Sequence, residues 1–350
     1  MHLRQDTKKV KVGNIYIGKD SPVSIQSMLN VKASDFKGNI EQALRLEQAG
    51  CEIIRVSVPN KETVNLITEL KQNVKVPIVA DIHFDYKLAV MSVEAGADKV
   101  RINPGNIGSS DNVKEVVKAC RKHNVPIRIG VNSGSIEKDL LHKYGVSSKA
   151  LFESARRHIQ ILENLDFYDI VLSLKASDVN MMYNAYKIAA EECDYPLHLG
   201  VTEAGTERMG TIRSAAGIGG LLLLGIGNTI RVSLTDDPVK EVLAAKDILT
   251  ATGVRTEGIK IVSCPTCGRT SIDLISLANS VEKALSSVQK NLTVAVMGCV
   301  VNGPGEASAA DIGIAGGNKE GLIFKKGKII CKLPENELLP RLLEEIEKMD

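Results

Sequence analysis

Between Val23 and Thr250 short apolar runs alternate with amphipathic stretches in a steady beat, and that alternation limits the folds open to the chain. The runs are Val23–Ser27, Ile53–Ser57, Ile78–Asp81, Lys99–Ile102, Ile127–Gly130, Ile170–Ser173, Leu197–Val201 and Thr229–Ser233. Short Ile- and Val-rich segments of this kind predict strands. Between and after them, Asn39–Ala49, Glu62–Gln72, Lys87–Glu94, Val113–Lys122, Ser148–Asn164, Val179–Glu192, Arg213–Leu224 and Pro238–Thr250 have the pattern of helices, the last starting behind the cap-like Asp236 and Asp237. Strand-then-helix units repeated in this way predict an α/β fold, a (β/α)8 TIM barrel over residues 1–255, in preference to an open doubly wound sheet. No Gly-x-Gly-x-x-Gly turn follows the first strand, which removes the main support for a nucleotide site.

Four of these strands carry an arginine between aliphatic residues: Arg55, Arg101, Arg128 and Arg231. Strand side chains alternate faces, so if the aliphatics meet the helices the arginines point into the barrel, near its mouth. Lys175, ending the sixth strand, adds a fifth positive charge. One strand arginine is ordinarily held by a neighbouring carboxylate. Several in one cavity call for an anion, and guanidinium forks match phosphate oxygens in pairs, so the expected ligand bears more than one phosphate.

The strand ends Gln26, Ser27, Asp81, His83, Asn103, Asn132, Glu203, Ser233 and Thr235 fall where barrel enzymes keep reactive groups. Of these, His83, Asn103, Asn132 and Ser233 join the basic residues as candidate substrate contacts. Glu203 is the candidate for proton transfer, with charge balance for the arginines as its plainer role. His83 and His198 are either phosphate donors or hydrogen-bonded core residues, and His2, His123, His142 and His158 are expected at the surface.

A formal net charge of +2 and 3% aromatic residues argue against a nucleic-acid surface. The basic N-terminus leads into no apolar signal segment, and the longest uncharged run, Ser214–Ile230, is broken by glycines, so a soluble, cytoplasmic chain is expected without a membrane partner. Seven cysteines scattered over 350 residues do not form a disulfide framework, and Cys51, Cys120 and Cys193 read as small buried apolar residues.

Near Gly253–Gly258 the beat breaks, and residues 256–350 predict a small α+β domain. Its strands are Ile259–Ser263, Leu292–Met297, Ile312–Ala315, Leu322–Phe324 and Lys328–Lys332, with helices over Ser271–Ser286 and from Glu335 onward. Cys264-Pro-Thr-Cys267 and Cys299-Val-Val-Asn-Gly-Pro-Gly-Glu306 each follow a strand. A redox dithiol has no use for Cys299, and residues 199–350 contain no histidine, so a zinc site would need Cys331, which lies inside a strand. The Gly- and Pro-rich loops suit an iron-sulfur cluster, with Glu306 as an oxygen ligand displaced more readily than a thiolate. The residues alone leave both metals open. The rival readings are a zinc-stabilised phosphosugar-binding barrel without redox chemistry and a different barrel enzyme for phosphorylated compounds, such as a pterin-ring synthase.

Ser263–Arg269, Met297–Glu306 and Gly313–Asn318 resemble the iron-sulfur domain of the 4-hydroxy-3-methylbut-2-enyl diphosphate synthase family, in its compact two-domain bacterial form. Val23–Met28, Ala80–Phe84, Val100–Asn106, Arg128–Asn132, Val201–Gly205 and Arg231–Leu234 are similar to that family's barrel segments. The resemblance implies a sulfite-reductase-like second domain holding a [4Fe-4S] cluster on Cys264, Cys267, Cys299 and Glu306. It implies reductive ring opening of 2-C-methyl-D-erythritol 2,4-cyclodiphosphate with loss of water, and ferredoxin or flavodoxin as the electron donor. Glu203 is then an acid/base candidate and Asn302 a substrate or cluster neighbour. Because the last barrel helix ends opposite the mouth, a head-to-tail homodimer is expected, each cluster domain serving its partner's barrel.

Overall fold

The computed structural model describes residues 1–255, 258–285, 288, 290–299, 309–318 and 320–349, the side chain of residue 104 excepted. The expected cluster ligand Glu306 and its neighbour Asn302 lie outside the described residues. The chain forms two compact units, Met1–Arg255 and Thr256–Asp350.

The first unit opens with a hairpin of β1 (Val10–Val12) and β2 (Ile15–Ile17). The barrel strands follow: β3 (Ser24–Met28), β4 (Ile53–Ser57), β5 (Ile78–Asp81), β6 (Lys99–Ile102), β7 (Ile127–Asn132), β8 (Ile170–Lys175), β9 (His198–Leu199) and β10 (Thr229–Ile230). They form one parallel sheet in the order β8-β7-β6-β5-β4-β3-β10-β9, and a parallel bridge between Leu172 and Leu197 brings β8 against β9 to close the ring. Each expected strand is present, but β9 and β10 are shorter than the expected Leu197–Val201 and Thr229–Ser233, so Arg231 follows β10 rather than lying within it.

The helices are α1 (Phe36–Gln48), α2 (Lys61–Asn73), α3 (Tyr86–Glu94), α4 (Ser110–His123), α5 (Lys138–Tyr144), α6 (Ser148–Glu163), α7 (Val179–Glu192), α8 (Glu207–Ser214), α9 (Gly220–Leu223) and α10 (Pro238–Ala251). The outward strand positions, among them Ile54, Val56, Ile78, Val100, Ile102, Ile127 and Ile129, are buried in one cluster with helical Leu46, Leu66, Leu70 and Val116. Each such side chain contributes about 1.5–3 kcal/mol by leaving water. Asp237 accepts from Val239 N at the start of α10, the expected cap.

The sequence reading differs from the structure at several places, among them Cys193, which is half-buried rather than buried. Val10, Val12 and Ile17 of the hairpin pack on the inward-facing Ile53, Val79 and Val171, forming an apolar floor beneath the barrel interior. This hairpin was not expected, although Val10-Lys-Val-Gly-Asn-Ile-Tyr-Ile17 alternates around a turn in which Gly13 takes φ +58°. Helix α5, only 7 residues long, is too short for its periodicity to register. The helix read over Arg213–Leu224 begins at Glu207 and widens into a π-helical segment over Ala215–Gly219 before α9, where glycines relax the turn. Finally, His158 is not at the surface. It lies 2% exposed on α6, with Nε2 3.1 Å from Glu137 Oε1, because its helical position faces the loops that follow β6 and β7.

The second unit is a five-stranded sheet in the order β11-β12-β13-β14-β15. The strands β11 (Ile259–Ser263), β12 (Leu292–Met297) and β13 (Ile312–Gly316) run parallel, while β14 (Glu320–Lys325) and β15 (Lys328–Pro334) return antiparallel. Helices α11 (Leu274–Leu285) and α12 (Glu335–Glu347) bury Val281, Leu285, Leu338, Leu342 and Ile346 against Val294, Val296, Ile312 and Ile314. Among the described residues, no helix is long and apolar enough to cross a membrane.

Candidate active site

The C-terminal ends of the barrel strands surround a cavity of about 240 Å³. Arg55, Arg101, Arg128, Lys175 and Arg231 line it together with one carboxylate, Asp81. Alternation along each strand accounts for this convergence, since the residues before and after each arginine face the helices.

Asp81 and Arg101 are register partners on β5 and β6. Arg101 donates from Nη1 to Asp81 Oδ1 at 3.1 Å and from Nη2 to the Gly130 carbonyl at 3.3 Å. Arg55 Nε stands 3.6 Å from Asp81 Oδ2, and Nε and Nη2 also donate to the Met28 thioether at 3.0 and 2.7 Å. Burial pushes the Asp81 carboxyl pKa up, but Arg55, Arg101 and Arg128 outweigh it and hold it at about 2. Burial also draws Arg55 down to about 10 against the pull of Asp81.

Arg231 makes a bidentate pair with Glu241, Nη2 to Oε1 at 2.9 Å and Nε to Oε2 at 3.2 Å, and donates from Nη1 to Ser233 Oγ at 2.8 Å. Glu241, 2% exposed on α10, also accepts from Ser27 Oγ and Leu234 N. Glu241 was missed in the sequence because it sits in a helix rather than at a strand end.

Arg128 and Lys175 have no ion-pair partner among the described residues. Burial, then Arg55 and the other arginines, drive the Lys175 ammonium well below its usual pKa. Three of the cations, Arg55, Arg101 and Arg231, therefore have a carboxylate partner, the plainer of the two readings, and Arg128 and Lys175 have none among the described residues.

Two glycines make room for this crowd. A methyl group at Gly130 would overlap Arg101 Nε, and one at Gly200 would lie 2.6 Å from Lys175 Nζ. Ser173, Thr202 and Met28 also line the cavity, and none of the three was a candidate contact in the sequence.

His83 and Asn132 line the cavity as expected. Asn103 is turned to a structural task, its Oδ1 accepting from Gly105 N at 3.1 Å. His198 is a buried core residue facing Thr229 Oγ1 at 3.4 Å. Glu203 is exposed, follows the cavity-lining Thr202, and takes a left-handed φ of +53° unusual for a residue with a side chain.

In the second unit Cys264 follows β11 and Cys299 follows β12, adjacent parallel strands, so both loops leave the same end of the sheet. Cys264 and Cys299 are half-buried and Cys267 is exposed. Among the described residues, no three His, Cys, Asp or Glu side chains converge as metal ligands. The surroundings nevertheless suit thiolate sulfur: Gly298 N donates to Cys264 Sγ at 3.2 Å, and Cys267 N donates to Thr270 Oγ1 at 3.1 Å, which orders the loop. Cys331 lies on β15, the opposite edge of the sheet from β11, a separation of about 19 Å at ordinary strand spacing.

Residues 7–246 match the model of the GcpE TIM-barrel domain and residues 260–348 that of the GcpE protein C-terminal domain. The chain is 57% identical to 4-hydroxy-3-methylbut-2-en-1-yl diphosphate synthase (flavodoxin) of Caldanaerobacter subterraneus subsp. tengcongensis, over 99% of this chain and 98% of that protein. It is 57% identical to the protein of the same name from Clostridium acetobutylicum, over 99% of each. Among solved structures, dihydropteroate synthases of Yersinia pestis and Stenotrophomonas maltophilia superpose with TM-scores of 0.51 and 0.52 over 71% of this chain and 99% and 100% of theirs. At 17% and 16% identity those two share the barrel fold alone. The chain belongs to the GcpE family, the 4-hydroxy-3-methylbut-2-en-1-yl diphosphate synthases.

Proposed function

We propose that this chain carries out its family's reaction with the cavity residues as its substrate site and the three cysteines as its redox centre. The reaction is the two-electron reductive ring opening of 2-C-methyl-D-erythritol 2,4-cyclodiphosphate to 4-hydroxy-3-methylbut-2-enyl diphosphate, with loss of water. The observation that carries the site assignment is the excess of charge: five basic side chains around a cavity of about 240 Å³, against Asp81 in its lining and Glu241 behind Arg231. A cyclic diphosphate brings the missing negative charge, and the guanidinium forks fix its two phosphoryl groups.

Arg128 and Lys175, free of carboxylates among the described residues, take the phosphate oxygens, while Arg55, Arg101 and Arg231 are held in place by Asp81 and Glu241. His83 and Asn132, which line the cavity, complete the substrate contacts, while Ser233 steadies Arg231 and Asn103 orders the loop after β6. Glu203, beside Thr202, supplies the proton that lets the departing oxygen leave as water.

Cys264, Cys267, Cys299 and Glu306 are the residues that would hold a [4Fe-4S] cluster, and Asn302 is the candidate contact of substrate or cluster from the same segment. When bound, the cluster supplies the two electrons one at a time. Flavodoxin, printed in the relatives' names, is the proposed donor, with ferredoxin the other candidate. Helix α10 runs back along the barrel and ends at Ala251 on the side away from the cavity, which supports a head-to-tail homodimer. We place the enzyme in the cytoplasm.

Anaerobic purification tests the redox reading. Brown protein with iron and sulfide, turning over the cyclic diphosphate only with a strong one-electron reductant, is expected. Colourless protein with stoichiometric zinc overturns it.

A further inference from the structure

Beneath the cavity lies a second tier of polar side chains, sealed from solvent. Lys99 precedes Arg101 by two residues on β6, so both enter the barrel and Lys99 lies one step deeper. It is 0% exposed, and its Nζ has no hydrogen-bond partner among the described residues. Arg128, register partner of Arg101 on β7 and 1% exposed, stands one step above Lys99: Nη1 donates to Gln26 Oε1 at 3.3 Å, but Nε has no hydrogen-bond partner among the described residues. The same holds for Gln26 Nε2, Ser24 Oγ and His198 Nε2. Asp81 and Glu241 are engaged with Arg55, Arg101 and Arg231, and among the described residues no ion pair reaches Lys99.

Donors outnumber acceptors here. Arg128 keeps its charge under any ordinary condition, so the lysine is the group that can yield. As an ammonium it adds three more donors and a second unpaired charge. As an amine it supplies a lone pair where Arg128 Nε–H needs an acceptor. Polar groups this buried are normally satisfied, by water where protein atoms do not reach.

We propose that Lys99 is a positioning residue for the anion site: an uncharged amine beneath Arg128 that accepts, through a shared buried water, the Nε hydrogen bond and so aims the guanidinium's Nη atoms at the cavity. Burial drives the Lys99 pKa well below its usual value, with Arg128 and then Arg55 adding repulsion, in keeping with this role. His198, the remaining titratable group of the tier, is held neutral by burial, then Arg128, Lys175 and Lys99. The inference rests on reading the cavity as a diphosphate site.

The test is a substitution series in the full-length, metal-loaded enzyme, read by calorimetric binding of 2-C-methyl-D-erythritol 2,4-cyclodiphosphate, by KM and kcat separately, and by melting temperature. Lys99→Met, which removes the acceptor at similar length, is expected to weaken binding and raise KM roughly tenfold, the scale of one charge-assisted hydrogen bond, with kcat changed less than about twofold. Lys99→Gln, an uncharged acceptor, restores binding to within about threefold of the parent, and Lys99→Arg does not. Binding rescued by Lys99→Arg but not by Lys99→Gln overturns the proposal in favour of a cationic contact. Parent-like binding in all three with lowered melting temperatures reduces Lys99 to packing. Should Lys99→Met fail to fold, the Gln and Arg variants still decide. Arg128→Met separates the two layers of argument. If it binds the cyclic diphosphate normally, the diphosphate reading itself fails; if it binds weakly while the Lys99 series is silent, only the positioning role does.

Discussion

Gly130 opens the path by which Arg101 reaches the cavity: a methyl group there would overlap Arg101 Nε, and the Gly130 carbonyl accepts from Arg101 Nη2. Gly130→Ala therefore forces the guanidinium away from both its anchors, the carbonyl and Asp81. Losing hydrogen bonds of that class costs about 1.5–3 kcal/mol each, so KM for the cyclic diphosphate is expected to rise at least tenfold. Overpacking costs about 1–3 kcal/mol in stability as well. Steady-state kinetics beside urea denaturation separates the two, and an unchanged KM in a folded variant removes Arg101 from the site.

Asp81 is the one carboxylate shared by Arg55 and Arg101. Asp81→Asn leaves Arg55 and Arg101 facing each other without a carboxylate, and breaking a buried pair from one side costs about 3–5 kcal/mol. Unfolding in urea measures it, and saturating cyclic diphosphate is expected to return much of the loss by supplying the anion. The parent has a related acid dependence. Its folded-state pKa of about 2 lies below the ordinary value of 3.8, so the stabilisation is complete above about pH 4 and lost as pH falls toward 2. Asp81→Asn is expected to flatten that part of the profile.

Lys175 gives binding its own pH dependence. Burial and the surrounding arginines lower its pKa. A bound diphosphate reverses the local charge and raises it, so binding takes up a proton wherever the pH lies between the free and bound values. Affinity is then expected to fall as pH rises through that window. Calorimetry in buffers of different ionisation enthalpy counts the protons. Apparent heats independent of buffer would show that Lys175 stays in one protonation state.

The barrel strands and their inward arginines were legible because two period-based signals coincide: aliphatic residues at alternate positions and a guanidinium between them. The partners of those arginines were less so. Asp81 sits at a strand end, where a reader looks, but Glu241 reaches Arg231 from the first turns of α10, and sequence spacing contains no sign of that contact. Lys99 stood in plain view as the first residue of β6, yet a lysine at a strand start reads as exposed until the floor hairpin, Val10–Val12 and Ile15–Ile17, is seen to close the barrel beneath it. His158 failed as an expected surface residue for a similar reason, since its burial depends on the loops packed over α6 rather than on its own helix.

Cys331 distinguishes the two metals on topology. A structural zinc site closes with four ligands, and no histidine follows residue 198, so a zinc reading must recruit Cys331 to Cys264, Cys267 and Cys299. Strand β15 lies four places from β11, about 19 Å away, whereas ligand sulfurs of one zinc lie within about 4 Å of each other. No rotamer spans that gap. Cys331→Ser is therefore expected to retain the iron, sulfide and visible absorption of the parent after anaerobic purification, while Cys264→Ser loses most of all three. Equal metal loss in both variants would place Cys331 at the metal and require a sheet order other than the one described here.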